Sequence, residues 1–508
     1  MIATLLAALP ILLILVLMLG FRWNSARAGI AGWALGLLIA VLVFGADAPI
    51  LGWAHLRALF LALVVLFIIW GALLFYRVTE AAGAVEAMSA LLSRISPHRA
   101  FNVLLLAWGF ASFLQSVGGY GVPVAVVAPL LVGTGFPPLA AFVMASLGHT
   151  WAISFGSLGA SFKTLQGVTN ASSPELALWS VILLGVLCFI MGAASLWVAG
   201  GKTALRQGGV PMLFMASAMA MGQWLAVRAE QYEVAAMLGA LGGLLIGVLW
   251  AILQKRPTFP AGSRTHLRKA LLPYTLLLAL IFITRVDAVK AGLEFLPPIV
   301  EREHPTLITA NQWAVPDVKE NRISLLGNTG ALLFYASLGT WLYGRYRGEI
   351  AQKQVKPILR KVARSGLTPS ISILAMMALA TTMEYAGMID LLARQLASAA
   401  GGLFPVVSPF IGALGAFITG SNTNANALFG TLQRDTALAL KIAAPLILAA
   451  QNVGGAIGST FAPAKVALGC STVGLEAQES EAMRLLLRYE LIALAIIAGL
   501  TFLLSSWA

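Results

Sequence analysis

The run Ser421-Asn422-Thr423-Asn424 sets hydroxyl and carboxamide groups side by side in a chain that is otherwise strongly apolar. Such groups donate to and accept from carboxylate oxygens, and can orient a neighbouring hydroxyl. Ser, Asn and Thr are also preferred helix caps, so the run serves as a cap, a ligand contact or both; four in a row exceed what one cap needs. A second set, Gln115 and Ser116 followed by Gly118, Gly119, Tyr120 and Gly121, offers an amide and two hydroxyls beside backbone that glycine opens to close approach. Plain turn formation also accounts for these glycines. Gln451 and Asn452 form a third set, either contacting a ligand or bonding carbonyls freed by a helix break.

Three titratable groups could carry a proton. His149 lies deep in an apolar stretch and its imidazole titrates near neutral pH; the alternative is a neutral histidine bonding across helices. Glu80 and Glu384 precede amphipathic segments and either cap them, where acids favour the N-terminus, or take part in proton coupling. Arg434 and Asp435 read as a solvated pair, and Lys163 and Lys465 as interfacial anchors.

Catalytic chemistry finds little support. There is no His-Glu-x-x-His, no Gly-x-Ser-x-Gly and no Walker-type loop. The two cysteines, Cys188 and Cys470, cannot build a disulfide framework or a metal cluster. The chain therefore reads as a non-enzyme with no catalytic residue, no metal and no cofactor. Its net charge of +13 could suggest nucleic acid, but the basic residues lie in short loops between apolar segments, as in cytoplasmic membrane loops. No nucleic-acid partner is expected.

The elements that must hold these residues are membrane helices. The chain is 59% hydrophobic and only 10% charged, against about 25% charged in a soluble domain. A helix needs roughly 20 apolar residues to cross the hydrocarbon core. Spans are expected near 2–20, 28–46, 56–76, 138–162, 175–200, 211–228, 232–253, 270–288, 323–343, 364–383, 437–463 and 484–507. The first reads as a retained helix rather than a signal peptide. Basic loops at 254–270 and 344–364 belong inside, and the mixed loop 289–322 outside, which leaves both termini external after about twelve crossings.

The segments 101–134 and 403–434 do not fit as single spans. Each is a pair of half-length apolar runs around a polar tip, which fits a re-entrant hairpin lined by protein or water. A helix kinked by Gly and Pro is the alternative. Before each hairpin comes an amphipathic piece, 80–96 or 384–400, suited to the interface. After each comes a span expected to break at mid-depth, one at Leu147-Gly148-His149-Thr150 and one at Gln451-Asn452-Val453-Gly454-Gly455.

These landmarks repeat at one spacing. Glu384 stands 304 residues after Glu80, Ala416 after Ser112 and Gln451 after Leu147. The expected fold is all-α and polytopic, with about twelve transmembrane helices plus two re-entrant hairpins in two inverted repeats. Residues 1–200 form the first repeat, 201–269 connecting helices and 270–508 the second. Interrupted segments at matching places of two halves point to a secondary transporter's binding site. Helix N-termini there can hold a small anion without a buried lysine or arginine. An anion channel is the competing class.

Gly118-Gly119-Tyr120-Gly121-Val122-Pro123-Val124-Ala125 resembles the Gly-Phe-Gly-x-Pro-Val-Ala segment of the L-lactate permease family. The stretch from Gly420 through Leu428-Phe429-Gly430 to Gln433 is similar to that family's Gly-Ser-x-Thr-x-x-Asn-x-Leu-Phe-Gly-x-Leu-Gln segment. Gln451-Asn452-Val453-Gly454-Gly455 and Phe461-Ala462-Pro463-Ala464-Lys465 resemble its penultimate block. Ser421-Asn422-Thr423 also matches the hairpin-tip motif of dicarboxylate/sodium symporters in the same ion transporter superfamily. The family resemblance implies proton-coupled symport of lactate or glycolate across the bacterial inner membrane. The superfamily resemblance implies two inverted repeats, a scaffold with an elevator-type moving body, and a homodimer, with sodium coupling as the alternative. One departure is Gly-Gly-Tyr-Gly at the first tip, where the family commonly has Gly-Phe-Gly.

Overall fold

Apolar sequence without charge closes its backbone hydrogen bonds within a helix, and helix dominates the computed structural model. The structure describes residues 2–21, 23–92, 99–119, 121–254, 263–284, 289, 292–293, 297–301, 303–316 and 321–506. The first half contains α1 (Ile2–Leu19), α2 (Ser25–Leu42), α3 (Ala48–Ala81), α4 (Ala84–Leu92), α5 (Arg99–Val117), α6 (Val122–Gly133), α7 (Pro138–His149) and α8 (Gly156–Thr169). Then follow α9 (Ser173–Arg228), α10 (Ala235–Leu253) and α11 (Ser263–Ile283). The second half contains α12 (Thr329–Tyr346), α13 (Val355–Tyr385), α14 (Met388–Ala400), α15 (Phe404–Thr419), α16 (Asn422–Ala439), α17 (Ala444–Thr460), α18 (Pro463–Ser471) and α19 (Glu479–Ser505). A short antiparallel ribbon pairs β1 (Ile299–Glu301) with β2 (Asn321–Ile323).

Eight helices among the described residues are long and apolar enough to cross a membrane, or nine if the bent pair Pro138–Ala152 and Gly156–Thr169 is one span. Helix α9 is too long for one crossing, and its helical dihedrals fail at Gly200 and Gly201, which splits it in two. Many large apolar side chains lie exposed on the outer surface, Leu42, Phe214 and Leu253 among them. In water such a surface would be a liability; against lipid it is the favourable solvent contact.

Three adjoining features recur in both halves. Helices α3 and α13 end one and two residues before Ala82 and Gly387, and Gly83 and Gly387 both take left-handed backbone (φ 69° and 77°) that turns the chain into α4 and α14. The limbs α5 and α15 then break at polar tips, and α6 and α16 return. Finally, α7 and α17 lead to short irregular stretches before α8 and α18.

The position of the second break corrects one expectation. Helix α17 runs unbroken through Gln451–Gly455 and ends only at Thr460. Its glycines serve close packing instead: a methyl on Gly454 would collide with the Pro409 carbonyl, and one on Gly458 with that of Ala413, both on α15. The break falls at Phe461-Ala462 because Pro463 cannot continue a helix and holds Ala462 extended (φ −58°, ψ 135°). In the first half α7 continues to His149, then a 3-10 turn covers Thr150–Ala152, and Ser157, Leu158 and Gly159 are left-handed (φ 48°, 53° and 78°). The two halves of this span bend by 50°. Ser157 and Phe461 lie 304 residues apart, the spacing of the sequence landmarks. So the second break comes about two turns later than Gln451–Gly455 suggested, while the first begins at Thr150, the last residue of its expected motif.

Candidate functional site

The second tip is built on an N-cap. Ser421 is extended and its Oγ accepts from the Asn424 N–H (3.3 Å), which starts α16 at Asn422. Helical spacing then puts Asn422 and Asn426 on one face, turned toward α17. The Asn422 side-chain amide donates to the Asn452 backbone carbonyl (3.1 Å) and to Asn452 Oδ1 (2.9 Å). Asn426 Nδ2 donates to the same Asn452 Oδ1 (2.9 Å) and to the Ser161 carbonyl (3.1 Å). Thr423 faces α8 and shares a hydrogen bond with Ser161 (2.9 Å). Asn424 points the other way, donating to Ser372 on α13 (2.7 Å). All of these side chains except the partly exposed Ser421 are buried.

Gln451 lies behind the cluster. It accepts from Gln433 (2.8 Å), which also donates to the Ser408 carbonyl (2.9 Å), so these amides tie α15, α16 and α17 together. Three amide atoms make no hydrogen bond among the described residues: Asn422 Oδ1 and Asn452 Nδ2 at the centre, and Asn424 Oδ1 on the side of α13. Buried polar atoms are nearly always paired, and an unpaired one costs about 1–3 kcal/mol. An acceptor and a donor are thus left open together beside a helix N-terminus.

The first tip meets the first break. A methyl on Gly119 would run into Ser157 Oγ, and one on Gly156 would approach Gln115 Nε2 at 2.7 Å. Gly118 packs on Tyr76, and Gly121, left-handed at φ 83°, starts α6 and packs on Leu468 of α18. Ser116 is buried but donates to the Phe113 carbonyl of its own helix (2.6 Å). Tyr120 lies outside the described residues. Segment 156–161 thus touches both tips: Gly156 and Ser157 face Gln115 and Gly119, and Ser161 faces Thr423.

The titratable candidates lie apart from one another. His149 is buried at the end of α7, its Nδ1 bonded to the Ala145 carbonyl (2.8 Å). Glu80 is held by Arg77 (3.0 Å) and Tyr76 (3.3 Å). Glu384 pairs with Arg434 (3.0 Å), which also holds Asp435 (2.7 Å) and the Thr169 carbonyl at the end of α8 (3.1 Å). Arg434 and Asp435 are thus not a solvated pair but a partly buried network, covered by α14 and the end of α8. Lys163 pairs with Glu233 (3.4 Å), and Lys465 reaches Ser459 (3.1 Å).

Several members of the site were not singled out from sequence. Asn426 stands four residues after Asn422, and that spacing alone puts it on the same helix face. Ser161, Ser154 and Ser372 carried no signal, because single serines in apolar spans usually bond their own helix. Glu490 did carry one: an acid inside a spanning segment marks function by default. It is fully buried in α19 and accepts from Thr150 (2.8 Å).

Beside the cluster opens a cleft of about 640 Å³ between α3, α8, the start of α12 and α13, lined by Val64, Ile68, Lys163, Thr164, Asn328 and Met377. Thr164 lies about one turn beyond Ser161, so the cleft runs along α8 toward Thr423.

Apolar helices packed around buried amides and hydroxyls at helix breaks define a multi-pass membrane protein. Its family is clear: the model of the L-lactate permease family matches residues 3–507, and the chain belongs to that family. It is 29% identical over 451 residues to an L-lactate permease of Streptococcus iniae, covering 85% of this chain and 90% of the relative. With the glycolate permease GlcA of Escherichia coli K12 it shares 28% identity, covering 99% and 95%. Two solved structures have a similar fold. One is MtrF of Neisseria gonorrhoeae, described with a class of antimetabolite efflux pumps (TM-score 0.54, 14% identity, 95% of each chain). The other is the YdaH transporter of Alcanivorax borkumensis (TM-score 0.54, 16% identity, 96% of this chain and 99% of that one).

Proposed function

We propose that this chain is a secondary active transporter that brings small 2-hydroxy monocarboxylates, lactate and glycolate, into the cell with protons. The observation that carries the reading is the pair Asn422 and Asn452, with two buried amide atoms left open where α16 begins. The Asn452 amide donates to a carboxylate oxygen, the helix N-terminus favours the negative charge, and the Asn422 carbonyl accepts from a 2-hydroxyl, with Asn424 holding the tip against α13. Thr423, Gln115 and the first-tip backbone complete the enclosure, with Tyr120 supplying a further hydroxyl. Ser421 acts as the cap that sets the others.

The proposed arrangement is two inverted repeats, 1–200 and 270–508, joined by 201–269. In it α5–α6 and α15–α16 are re-entrant hairpins opening to opposite faces, within twelve crossings of the inner membrane and with both termini outside. Hairpins and broken helices move together past the α3 and α13 scaffold, in a homodimer embedded in lipid. The position of the site's groups supports this reading: Asn422, Asn426, Asn452 and Ser161 belong to hairpin and broken helices and bond one another. Only Asn424 reaches across to α13, through Ser372. His149, Glu80 and Glu384 are the proton-coupling candidates from sequence, and of these only His149 is buried without a charged hydrogen-bond partner.

Uptake of labelled lactate and glycolate into proteoliposomes tests the reading. A monocarboxylate entering with one proton carries no net charge, whereas one uncompensated charge is worth ~2.3 kcal/mol per 100 mV. Uptake should follow an inward-acid gradient and respond little to a potassium–valinomycin potential. A strict sodium requirement would move the chain to the sodium-coupled symporters. Flux that neither saturates nor accumulates against a gradient would make it a channel.

A further inference from the structure

We infer that Glu490 is the proton-binding group of this transporter. The inference rests on the proton-coupled reading above and assigns it a residue. Glu490 has no exposed surface, and lies in the interior of α19 among helices that span the membrane. One carboxyl oxygen accepts from Thr150 Oγ1 (2.8 Å); the other has no partner among the described residues. The helices packed on α19 are α7, α9, α15, α17 and α18. Helices α15 and α17 carry no charged or titratable side chain. The others bring His149 on α7, Lys465 and Cys470 on α18, and Glu175, Cys188, Lys202, Arg206 and Arg228 on α9, while α19 itself also carries Glu479, Glu481, Arg484, Arg488 and Tyr489. Glu490 makes no ion pair with any of them among the described residues, and the only hydrogen-bonding group on it is a neutral hydroxyl.

A buried carboxylate without a cation costs several kcal/mol even after relaxation. The neutral acid is the form that fits this site. The carboxylate gains its proton where the site opens to water on one side and releases it where it opens on the other; no other bond changes.

The placement of Glu490 links that proton to the substrate cluster. Its partner Thr150 begins the 3-10 turn that breaks the first span, and Thr150 also bonds Thr460 (3.1 Å), the last residue of α17 before the second break. Four residues on, Ser154 donates to the Asn452 carbonyl (3.2 Å), the same carbonyl that Asn422 engages. The carboxyl therefore touches the first broken helix directly and the second through the Thr150 hydroxyl, within a short chain of contacts from the amides. An ionised Glu490 would favour any shift of these breaks that brings water to it, while protonation allows the packed form.

The test uses the full-length protein in proteoliposomes with labelled lactate, comparing accumulation under a one-unit inward-acid gradient with counterflow against unlabelled internal lactate at equal pH. One-proton symport drives about tenfold accumulation per pH unit, since tenfold corresponds to ~1.4 kcal/mol. Glu490→Gln should bring the accumulation ratio down to about one while counterflow continues, because exchange needs no net proton movement. Glu490→Asp, which keeps a titratable group, should retain gradient-driven accumulation, and Thr150→Val should shift the pH at half-maximal uptake. His149→Gln should still accumulate. Tenfold accumulation by Glu490→Gln would overturn the inference. So would loss of counterflow in Glu490→Gln and Glu490→Asp alike with unchanged thermal unfolding, since that places the residue in substrate binding. A wild-type protein that ignores the pH gradient would instead refute the proton-coupled reading itself.

Discussion

Asn422 uses one side-chain amide to hold both carbonyl oxygens of Asn452, the backbone one at 3.1 Å and Oδ1 at 2.9 Å. This contact joins the N-terminus of α16 to the middle of α17 and leaves Asn422 Oδ1 and Asn452 Nδ2 open. It is a structural clamp and, in the proposed reading, half of the ligand site.

Asn422→Ala and Thr423→Ala should impair transport while the protein still inserts and folds. Each removes contacts at a polar junction rather than a hydrophobic core, and loss of one hydrogen bond of this kind is worth about 0.5–1.5 kcal/mol. Apparent affinity for lactate should fall by up to roughly tenfold in each. Unchanged uptake and affinity in both variants would reduce the tip to a helix cap. Initial rates in vesicles, normalised to folded protein by size-exclusion fluorescence, decide this.

Gly454→Ala and Gly458→Ala should destabilise the protein without touching the tip. The added methyl has no room against the Pro409 and Ala413 carbonyls, and overpacking of this kind costs about 1–3 kcal/mol. Thermal unfolding in detergent should move down in both variants, while the same change at Gly209, where a methyl meets nothing within 4 Å, should leave it nearly unchanged.

Glu384 and Arg434 lock the C-terminal part of α16 to α13, with side-chain exposures of 8% and 18%. Arg434→Gln should be the more damaging change, since it leaves Glu384 and Asp435 without their shared cation; breaking a buried pair this way costs about 3–5 kcal/mol, and partial exposure lowers that figure. Glu384→Gln should retain gradient-driven accumulation with lower stability. Loss of the pH gradient response in Glu384→Gln would return this residue to the coupling role.

The proposed inverted arrangement can be tested by labelling. In a background with Cys188 and Cys470 replaced, a cysteine at Gly135, in the exposed turn between α6 and α7, should label only from the cytoplasm. One at Lys441, in the exposed turn between α16 and α17, should label only from outside. Labelling of both from one side would mean parallel repeats.

Much of this was legible in the sequence, and for specific reasons. Helix positions followed from apolar length, and the tips from glycine and asparagine runs that interrupt it. Gly420, left-handed at φ 70°, stands where the sequence ended the first limb. The second break was misplaced because Gly454 and Gly455 look like helix breakers, whereas in a membrane bundle small residues more often admit a neighbouring backbone. Pro463 was the stronger signal. The pairing of Thr423 with Ser161, and of Glu490 with Thr150, joins residues 262 and 340 positions apart; no local pattern encodes such partners. Arg434 was misjudged for the same reason, since its cover comes from α14 and the end of α8.

The most direct test is lactate binding to purified Asn452→Asp, followed by calorimetry beside the wild type. Aspartate keeps an Oδ acceptor for Asn422 and Asn426, whose side-chain N–H groups hold the buried carboxylate in place, so the variant should fold with lower thermal stability. It replaces the open amide donor with a carboxylate facing the ligand's own negative charge. The account predicts saturable binding of lactate to the wild type and a loss of at least about tenfold in affinity, ~1.4 kcal/mol, in the folded variant. Equal affinity in the two proteins would contradict it, and the carboxylate would then have to bind elsewhere than at Asn452.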